Sequence, residues 1–180
     1  MEDIMPFVAL AIGAALAALD QFFKYLVVNN LQPDGSVNVI GDFFKLTYVE
    51  NKGVAFGMFE GLQWPIIVLT VILLAVIVIY MFRNKPEGKF FYITAALIIG
   101  GGVGNLIDRI VYRFVVDYLS FSIFPPVCNF ADYCIVIGVI MLAVYLLFMT
   151  DKKPVNAVKA GDKEAENKET EDKEAENDEA

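Results

Sequence analysis

Long uninterrupted runs of apolar residues constrain this chain more than any other feature of its sequence. The run Trp64 to Phe82 contains no charged residue, and 133–149 is nearly as apolar. Two further runs, 5–28 and 90–107, have polar residues near their ends. About 20 apolar residues in a helix cross the roughly 30 Å core of a bilayer, and a spanning segment must satisfy its own backbone hydrogen bonds. The sequence therefore predicts an all-α membrane protein, a four-transmembrane-helix bundle within residues 1–150.

The two longer connections between these helices are predicted to differ in structure. The segment 29–63 is too long for a simple connection. Within it, Phe44 to Val49 alternates apolar and polar residues in the way that a strand does. We therefore predict a small β-rich cap at 29–63. The connection 108–131, which contains Asp117, is predicted to be a loop.

Charge predicts the orientation of the chain and the character of its tail. The loop 83–89 holds three Lys and Arg residues, and three lysines follow the last helix most closely (Lys152, Lys153 and Lys159), against four basic residues in the other two connections. The positive-inside rule then places both termini in the cytoplasm and the cap outside it. Residues 151–180 hold 11 acidic and 6 basic residues with little apolar surface. Such a composition is typical of a disordered tail.

Polar residues collect at one end of the predicted bundle. Helix order alone brings the end of the first helix, the end of the third and the start of the fourth to the same membrane face. Ionisable groups at membrane depth are costly and rare, so a converging set indicates a functional site. The set comprises Asp20 and Lys24 in the first helix, Asn105, Asp108 and Arg109 in the third, Asn129 and Asp132 at the start of the fourth, and Asp117 in the loop between the last two.

Spacing suggests roles within this set. Asp20 and Lys24 are four residues apart, so they can form a local ion pair; contact with a substrate or with the 108–131 loop is the alternative. Arg109 can hold a carboxylate through two hydrogen bonds. The glycine-rich run 100–104 is predicted to allow close helix packing, because small residues let helices approach in lipid.

The chain has no histidine, which excludes Ser-His-Asp and Cys-His catalysis and imidazole-dependent zinc sites. Two neighbouring carboxylates remain as candidate chemistry, and these are Asp117 and Asp132. Held close together, they would share one proton, so that one could activate a water while the other polarised a carbonyl. The alternatives are two unrelated structural acids, an ion path in a small transporter or channel, and a non-enzymatic binding scaffold.

At these residues the chain resembles a known family, the lipoprotein signal peptidases, also called signal peptidase II. The resemblance covers about residues 1–150 and leaves the charged tail outside it. It is carried by Asp20 and Lys24, by the N-x-G-x-A-F stretch at 51–56, by GNLIDR at 104–109, by VVDY at 115–118 and by NFAD at 129–132. Cys128 and Tyr133 depart from the family pattern, which often has phenylalanine and serine there, so they put the fit of the substrate in question.

The resemblance implies an aspartyl endopeptidase of the bacterial cytoplasmic (inner) membrane, with its active site near the outer leaflet. Its substrates would be diacylglyceryl-modified prolipoproteins, cleaved just before the lipidated lipobox cysteine. Asp117 and Asp132 match the catalytic aspartates. Positions that shape or support the site are matched by Asp20, Lys24, Asn51, Gly53, Asn105, Asp108, Arg109, Asn129 and Ala131. The resemblance implies no metal, no cofactor and no nucleic-acid partner, and it implies inhibition by globomycin-type cyclic peptides. We expect a monomer that contacts membrane lipid.

Overall fold

The computed structural model describes residues 2–149 except 33–34 and 54–62. The chain divides into two units, Met1–Tyr145 and Leu146–Ala180, and the site lies within the first. The part of the cap at 54–62 and the predicted disordered tail at 151–180 lie outside the described residues. The elements are a 3-10 turn Glu2–Ile4, α1 Met5–Leu31, β1 Ser36–Ile40, β2 Phe44–Asn51, α2 Gln63–Asn84, α3 Phe90–Val111, β3 Val115–Phe121, β4 Phe124–Cys128 and α4 Phe130–Phe148.

Among the described residues, four helices are long and apolar enough to cross a membrane, which confirms the predicted four-helix fold. α1 continues to Leu31, beyond the predicted end at 28. In this last turn the side chains of Asn29 and Asn30 each donate to a carbonyl four residues earlier, at 2.8 and 2.6 Å. α4 begins at Phe130, three residues before the predicted span.

α3 forms the centre of the bundle, because most of its residues are buried while α2 and α4 keep wide exposed apolar faces. Such faces suit contact with lipid. The glycine run lets α1 approach α3 closely. A Cβ on Gly100 would lie 2.7 Å from Leu16 Cβ and 2.9 Å from the Gly13 carbonyl oxygen. The predicted packing role of these glycines is thus confirmed at this position.

A four-stranded antiparallel sheet in the order β1-β2-β3-β4 lies beside the end of α1. The predicted strand 44–49 falls within β2. The prediction that 108–131 is a loop was wrong, because β3 and β4 complete the same sheet and Asp117 lies on β3 opposite Val49. The first four residues of β3 are all buried, so this strand lacks the apolar–polar alternation that identified β2.

One face of the sheet packs on α1 and sets the position of β3. Val27 and Leu31 of α1 form a buried cluster with Val116 and Tyr118 of β3. These two β3 residues flank Asp117. Because side chains alternate along a strand, Asp117 points to the opposite face from its two neighbours.

Candidate functional site

Asp117 is held in a buried position between two amide side chains. Its carboxyl group is only 1% exposed. Its Oδ1 accepts a hydrogen bond from Asn129 Nδ2 at 2.6 Å, and its Oδ2 accepts one from Asn51 Nδ2 at 2.8 Å. Burial, and then the negative charge of Asp132, raise the pKa of Asp117 from 3.8 to about 7, although the two amides oppose the shift. Asp117 can therefore carry a proton near neutral pH.

Asp132 is positioned by the N-terminus of α4. Its Oδ2 accepts a hydrogen bond from the Asn129 backbone N–H at 3.1 Å, and Asn129 Oδ1 accepts one from the Asp132 backbone N–H at 3.0 Å. This reciprocal pattern is a capping box, which closes the first turn of a helix. The helix dipole favours negative charge there. Asp132 Oδ1 also accepts from Asn105 Nδ2 at 2.7 Å, so the environment of this carboxyl group suits an anion.

Two asparagines connect the carboxyl groups to one another. Asn129 Nδ2 donates to Asp117 and also to Asn105 Oδ1, at 3.0 Å in the second case. Asn105 in turn donates to Asp132. The chain of bonds from β3 through α4 to α3 explains how the start of α4 and the end of α3 jointly set the geometry of the pair.

A buried ion cluster lies behind this network. Lys24 Nζ is 2.8 Å from Asp20 Oδ2 and 3.0 Å from Asp108 Oδ2, and all three side chains are almost fully buried. The predicted local pair of Asp20 and Lys24 is therefore present, and it is enlarged by α3. Asp20 Oδ1 accepts from the Ala131 backbone N–H at 3.0 Å, and Asp108 Oδ2 accepts from the Val116 backbone N–H at 3.0 Å.

Two residues of this cluster were missed by sequence reasoning. Gln21 Nε2 donates to Asp108 Oδ1 at 2.8 Å and to the Gly104 carbonyl at 3.0 Å. Its position beside Asp20 was the only available signal. Gly104 was assigned only to helix packing, yet a Cβ there would lie 2.6 Å from Asp20 Oδ2. Gly104 thus leaves room for a buried carboxylate.

Arg109 contacts backbone rather than a carboxylate. Its Nη1 donates to the Asn105 carbonyl at 3.3 Å, and its Nη2 donates to the Gly53 carbonyl at 3.2 Å. Within the described part of the chain it forms no ion pair within 4 Å, which differs from the expected two-bond grip on a carboxylate. The Gly53 N–H donates to Asn51 Oδ1 at 3.0 Å. This bond turns the amide nitrogen of Asn51 toward Asp117.

The carboxyl pair borders a cavity of about 620 Å³. Its polar wall consists of Asn51, Arg109 and the two aspartates, and its remaining wall is largely apolar and aromatic. That second wall comprises Phe43, Phe121, Ile123, Phe124, Pro126, Val127, Cys128, Tyr133 and Val136. The size and the apolar lining suit an organic ligand with a large apolar part.

The two residues that depart from the family pattern both line this cavity. Cys128 is a free, half-buried cysteine whose pKa is raised to about 11, by burial first and then by the charges of Asp132 and Asp117. Its thiol is therefore protonated at neutral pH. Tyr133 directly follows Asp132 in the first turn of α4. Both residues contribute to the shape of the space in front of the carboxyl pair.

Comparison with known proteins gives a consistent family. A family model described as "Signal peptidase (SPase) II" matches residues 12–148. A lipoprotein signal peptidase of Caldanaerobacter subterraneus subsp. tengcongensis is 46% identical over 140 residues, 78% of this chain and 96% of the relative. A lipoprotein signal peptidase of Clostridium acetobutylicum is 36% identical over 153 residues, 83% and 97% of the two chains.

Solved structures with the same fold are also found. A structure titled as a bacterial membrane enzyme, determined by the in meso method at 2.3 Å resolution, superposes with a TM-score of 0.75 and 29% identity. It covers 82% of this chain and 92% of that chain. A second bacterial membrane enzyme structure, at 1.9 Å resolution, gives a TM-score of 0.71 at 29% identity, covering 79% and 94% of the two chains.

Proposed function

The chain belongs to the signal peptidase II family, and on that premise we propose that it is an aspartyl endopeptidase in which Asp117 and Asp132 activate water. Membership makes the chain a multi-pass membrane peptidase that processes lipoprotein signal peptides. The observation that carries the catalytic proposal is the pair of differently placed carboxyl groups at the cavity. Asp117 is buried with a raised pKa, and Asp132 lies at a helix N-terminus that favours an anion.

These environments assign the two roles. Asp132 removes a proton from a water molecule, which attacks the scissile carbonyl carbon, while Asp117 gives its proton to the carbonyl oxygen. The tetrahedral intermediate then collapses as the C–N bond breaks. Asp132 passes its proton to the departing amine, and Asp117 recovers one from the intermediate's hydroxyl group. The pair returns to its starting state with one proton, so no bound cofactor or covalent intermediate is required.

The apolar wall of the cavity supports a lipid-modified substrate. A diacylglyceryl group adds about 0.8 kcal/mol of favourable transfer per buried CH₂, and the aromatic side chains of Phe43, Phe121 and Phe124 offer such burial. We propose prolipoproteins with a diacylglyceryl-modified lipobox cysteine as substrates, cleaved on the N-terminal side of that cysteine. The substrate would enter sideways from the lipid.

The remaining features of the proposal follow from charge placement and from the family. We propose that the protein lies in the bacterial cytoplasmic (inner) membrane with both termini in the cytoplasm. The loop 83–89 and the first nine residues after position 150 hold six Lys and Arg residues, against four in the two connections on the other side. The carboxyl pair would then lie near the outer leaflet. Globomycin-type cyclic peptides are proposed inhibitors, and the working unit is proposed to be a monomer.

Purified protein assayed on matched precursors tests this function. The expected result is cleavage of a diacylglyceryl-modified prolipoprotein, with mass spectrometry placing the new N-terminus at the lipidated cysteine. The same precursor without the lipid should be cleaved at least about 100-fold more slowly, because the buried apolar area is lost. Equal turnover of both precursors would contradict the proposed specificity, and no turnover of either would contradict the peptidase proposal.

A further inference from the structure

Lys24 uses all of its hydrogen-bonding capacity inside the protein. An ammonium group has three donors, and the Lys24 ammonium contacts three acceptors, Asp20 Oδ2 at 2.8 Å, Asp108 Oδ2 at 3.0 Å and Asn105 Oδ1 at 2.9 Å. The residue is only 3% exposed and lies outside the cavity lining. Direct contact with a substrate, one of the roles that the sequence left open, therefore does not fit its position.

Each carboxylate that contacts Lys24 also accepts a hydrogen bond from the backbone next to Asp117 or Asp132. Asp20 accepts from the N–H of Ala131, the residue before Asp132. Asp108 accepts from the N–H of Val116, the residue before Asp117. One ammonium group thus connects the first turn of α4 to β3, and the connection runs through the peptide groups adjacent to the two aspartates.

Lys24 also determines how the Asn105 amide faces. Asn105 Oδ1 accepts from both Lys24 and Asn129, at 2.9 and 3.0 Å. Two donors at the oxygen leave the Asn105 NH₂ group turned the other way, where it donates to Asp132 Oδ1 at 2.7 Å. A reversed amide would bring its NH₂ against two donors and remove the bond to Asp132.

We propose that Lys24 is a positioning residue that sets the separation and orientation of Asp117 and Asp132 through Asp20, Asp108 and Asn105. This inference rests on the proposed aspartyl mechanism and adds a role that a local pair with Asp20 would not have. Catalysis by two carboxyl groups depends on their placement, and a displacement of about 1 Å can cost on the order of 100-fold in rate.

The test compares Lys24→Met in two backgrounds. The single variant leaves two buried carboxylates without a cation, which can prevent folding. The double variant Lys24→Met/Asp108→Asn leaves only one such carboxylate, Asp20, because it removes one positive and one negative charge together. The amide introduced at position 108 also keeps an oxygen for the Val116 N–H. The double variant is therefore compared with Asp108→Asn alone, and Met81→Ala, a fully buried core change, controls for loss of stability.

The expected result is a kcat about 10- to 100-fold lower in the double variant than in Asp108→Asn, with KM changed by less than about threefold. The pH dependence should also move. The charged and titratable groups that interact electrostatically with the Asp117 carboxyl group are Asp132 on α4, Lys24 on α1, Arg109 on α3 and the Cys128 thiol at the end of β4. Lys24 lowers the pKa of Asp117, so its removal should shift the alkaline limb of kcat to higher pH, whereas Met81→Ala should leave the limb in place.

Two results would overturn the inference alone while the wild type cleaves normally. One is a folded double variant with the kcat and pH limb of Asp108→Asn. The other is a loss confined to KM with an unmoved limb, which would indicate weaker substrate binding. A wild type that fails to cleave the lipidated precursor would overturn the proposed function as well, so the two failures are distinguishable.

Discussion

Asp117→Asn is predicted to make the protein more stable at alkaline pH while it removes a proposed catalytic group. The Asp117 carboxyl group is 1% exposed, and its pKa rises from 3.8 to about 7, with burial as the largest cause. Because this group binds protons more tightly in the folded state than in the unfolded state, its contribution to stability is full below pH 3.8. That contribution is lost as the pH rises through about 7.

The size of the effect follows from the shift. Each pKa unit corresponds to about 1.4 kcal/mol, so ionising Asp117 costs the folded state about 4 kcal/mol by pH 8, of which about 2 to 3 kcal/mol falls between pH 5 and pH 8. An asparagine at 117 cannot ionise. Its NH₂ group would face the donor of Asn51 or Asn129, at a cost of about 1–3 kcal/mol that does not depend on pH.

Thermal unfolding in detergent at pH 5 and pH 8 measures this difference. Relative to wild type, the Tm of Asp117→Asn should rise by about 5–10 °C more at pH 8 than at pH 5. Asp42→Asn removes a carboxylate that is 92% exposed, and it should follow the wild type at both pH values. If Asp117→Asn and wild type keep the same Tm difference at pH 5 and pH 8, the argument that Asp117 is a buried acid is refuted.

Three further predictions concern the site itself. Gly104→Ala should lower Tm and reduce kcat at least tenfold, because the new Cβ would lie 2.6 Å from Asp20 Oδ2. The control is Gly41→Asn, which should keep the wild-type kcat because a Cβ there meets nothing within 4 Å and φ is 49°. Equal losses of kcat in both variants would contradict the steric argument. The rate of cleavage should fall as pH rises above about 7, because Asp117 then loses the proton that it is proposed to donate. A cleavage rate that stays the same across this pH range would contradict this role. Iodoacetamide at pH 7.5 should alkylate Cys128 on the order of 100-fold more slowly in the folded protein than in the denatured protein, because the pKa of the Cys128 thiol is about 11 in the fold. Mass spectrometry measures both rates, and equal rates would contradict the raised pKa.

The four helices could be predicted because the length of an apolar run is a local signal. The Asp20–Lys24 pair was also predictable, since both residues lie on one face of one helix. Predicting that the polar groups converge at one membrane face required only the order of the helices. Each of these features depends either on residues near one another in sequence or on the order of the helices. None of them requires knowledge of the detailed path of the chain.

The strand that carries Asp117 could not be predicted, because its evidence is non-local. β3 pairs with β2, whose Val49 lies opposite Asp117 across a long separation in sequence. The buried run at the start of β3 has no alternation to identify it. The role of Gln21 could not be predicted for the same reason, since its hydrogen bond to Asp108 forms only when α1 packs beside α3. The contact of Arg109 with the Gly53 carbonyl likewise depends on the path of the cap.

The kcat of Asp117→Asn and Asp132→Asn on the diacylglyceryl-modified prolipoprotein tests the central proposal most directly. General acid and general base catalysis each contribute about 100- to 10,000-fold, so both variants should lose at least about 100-fold while remaining folded. Met81→Ala, in a core cluster that does not line the cavity, should retain near-wild-type kcat. If either aspartate variant cleaves at the wild-type rate, Asp117 and Asp132 do not act as the catalytic pair.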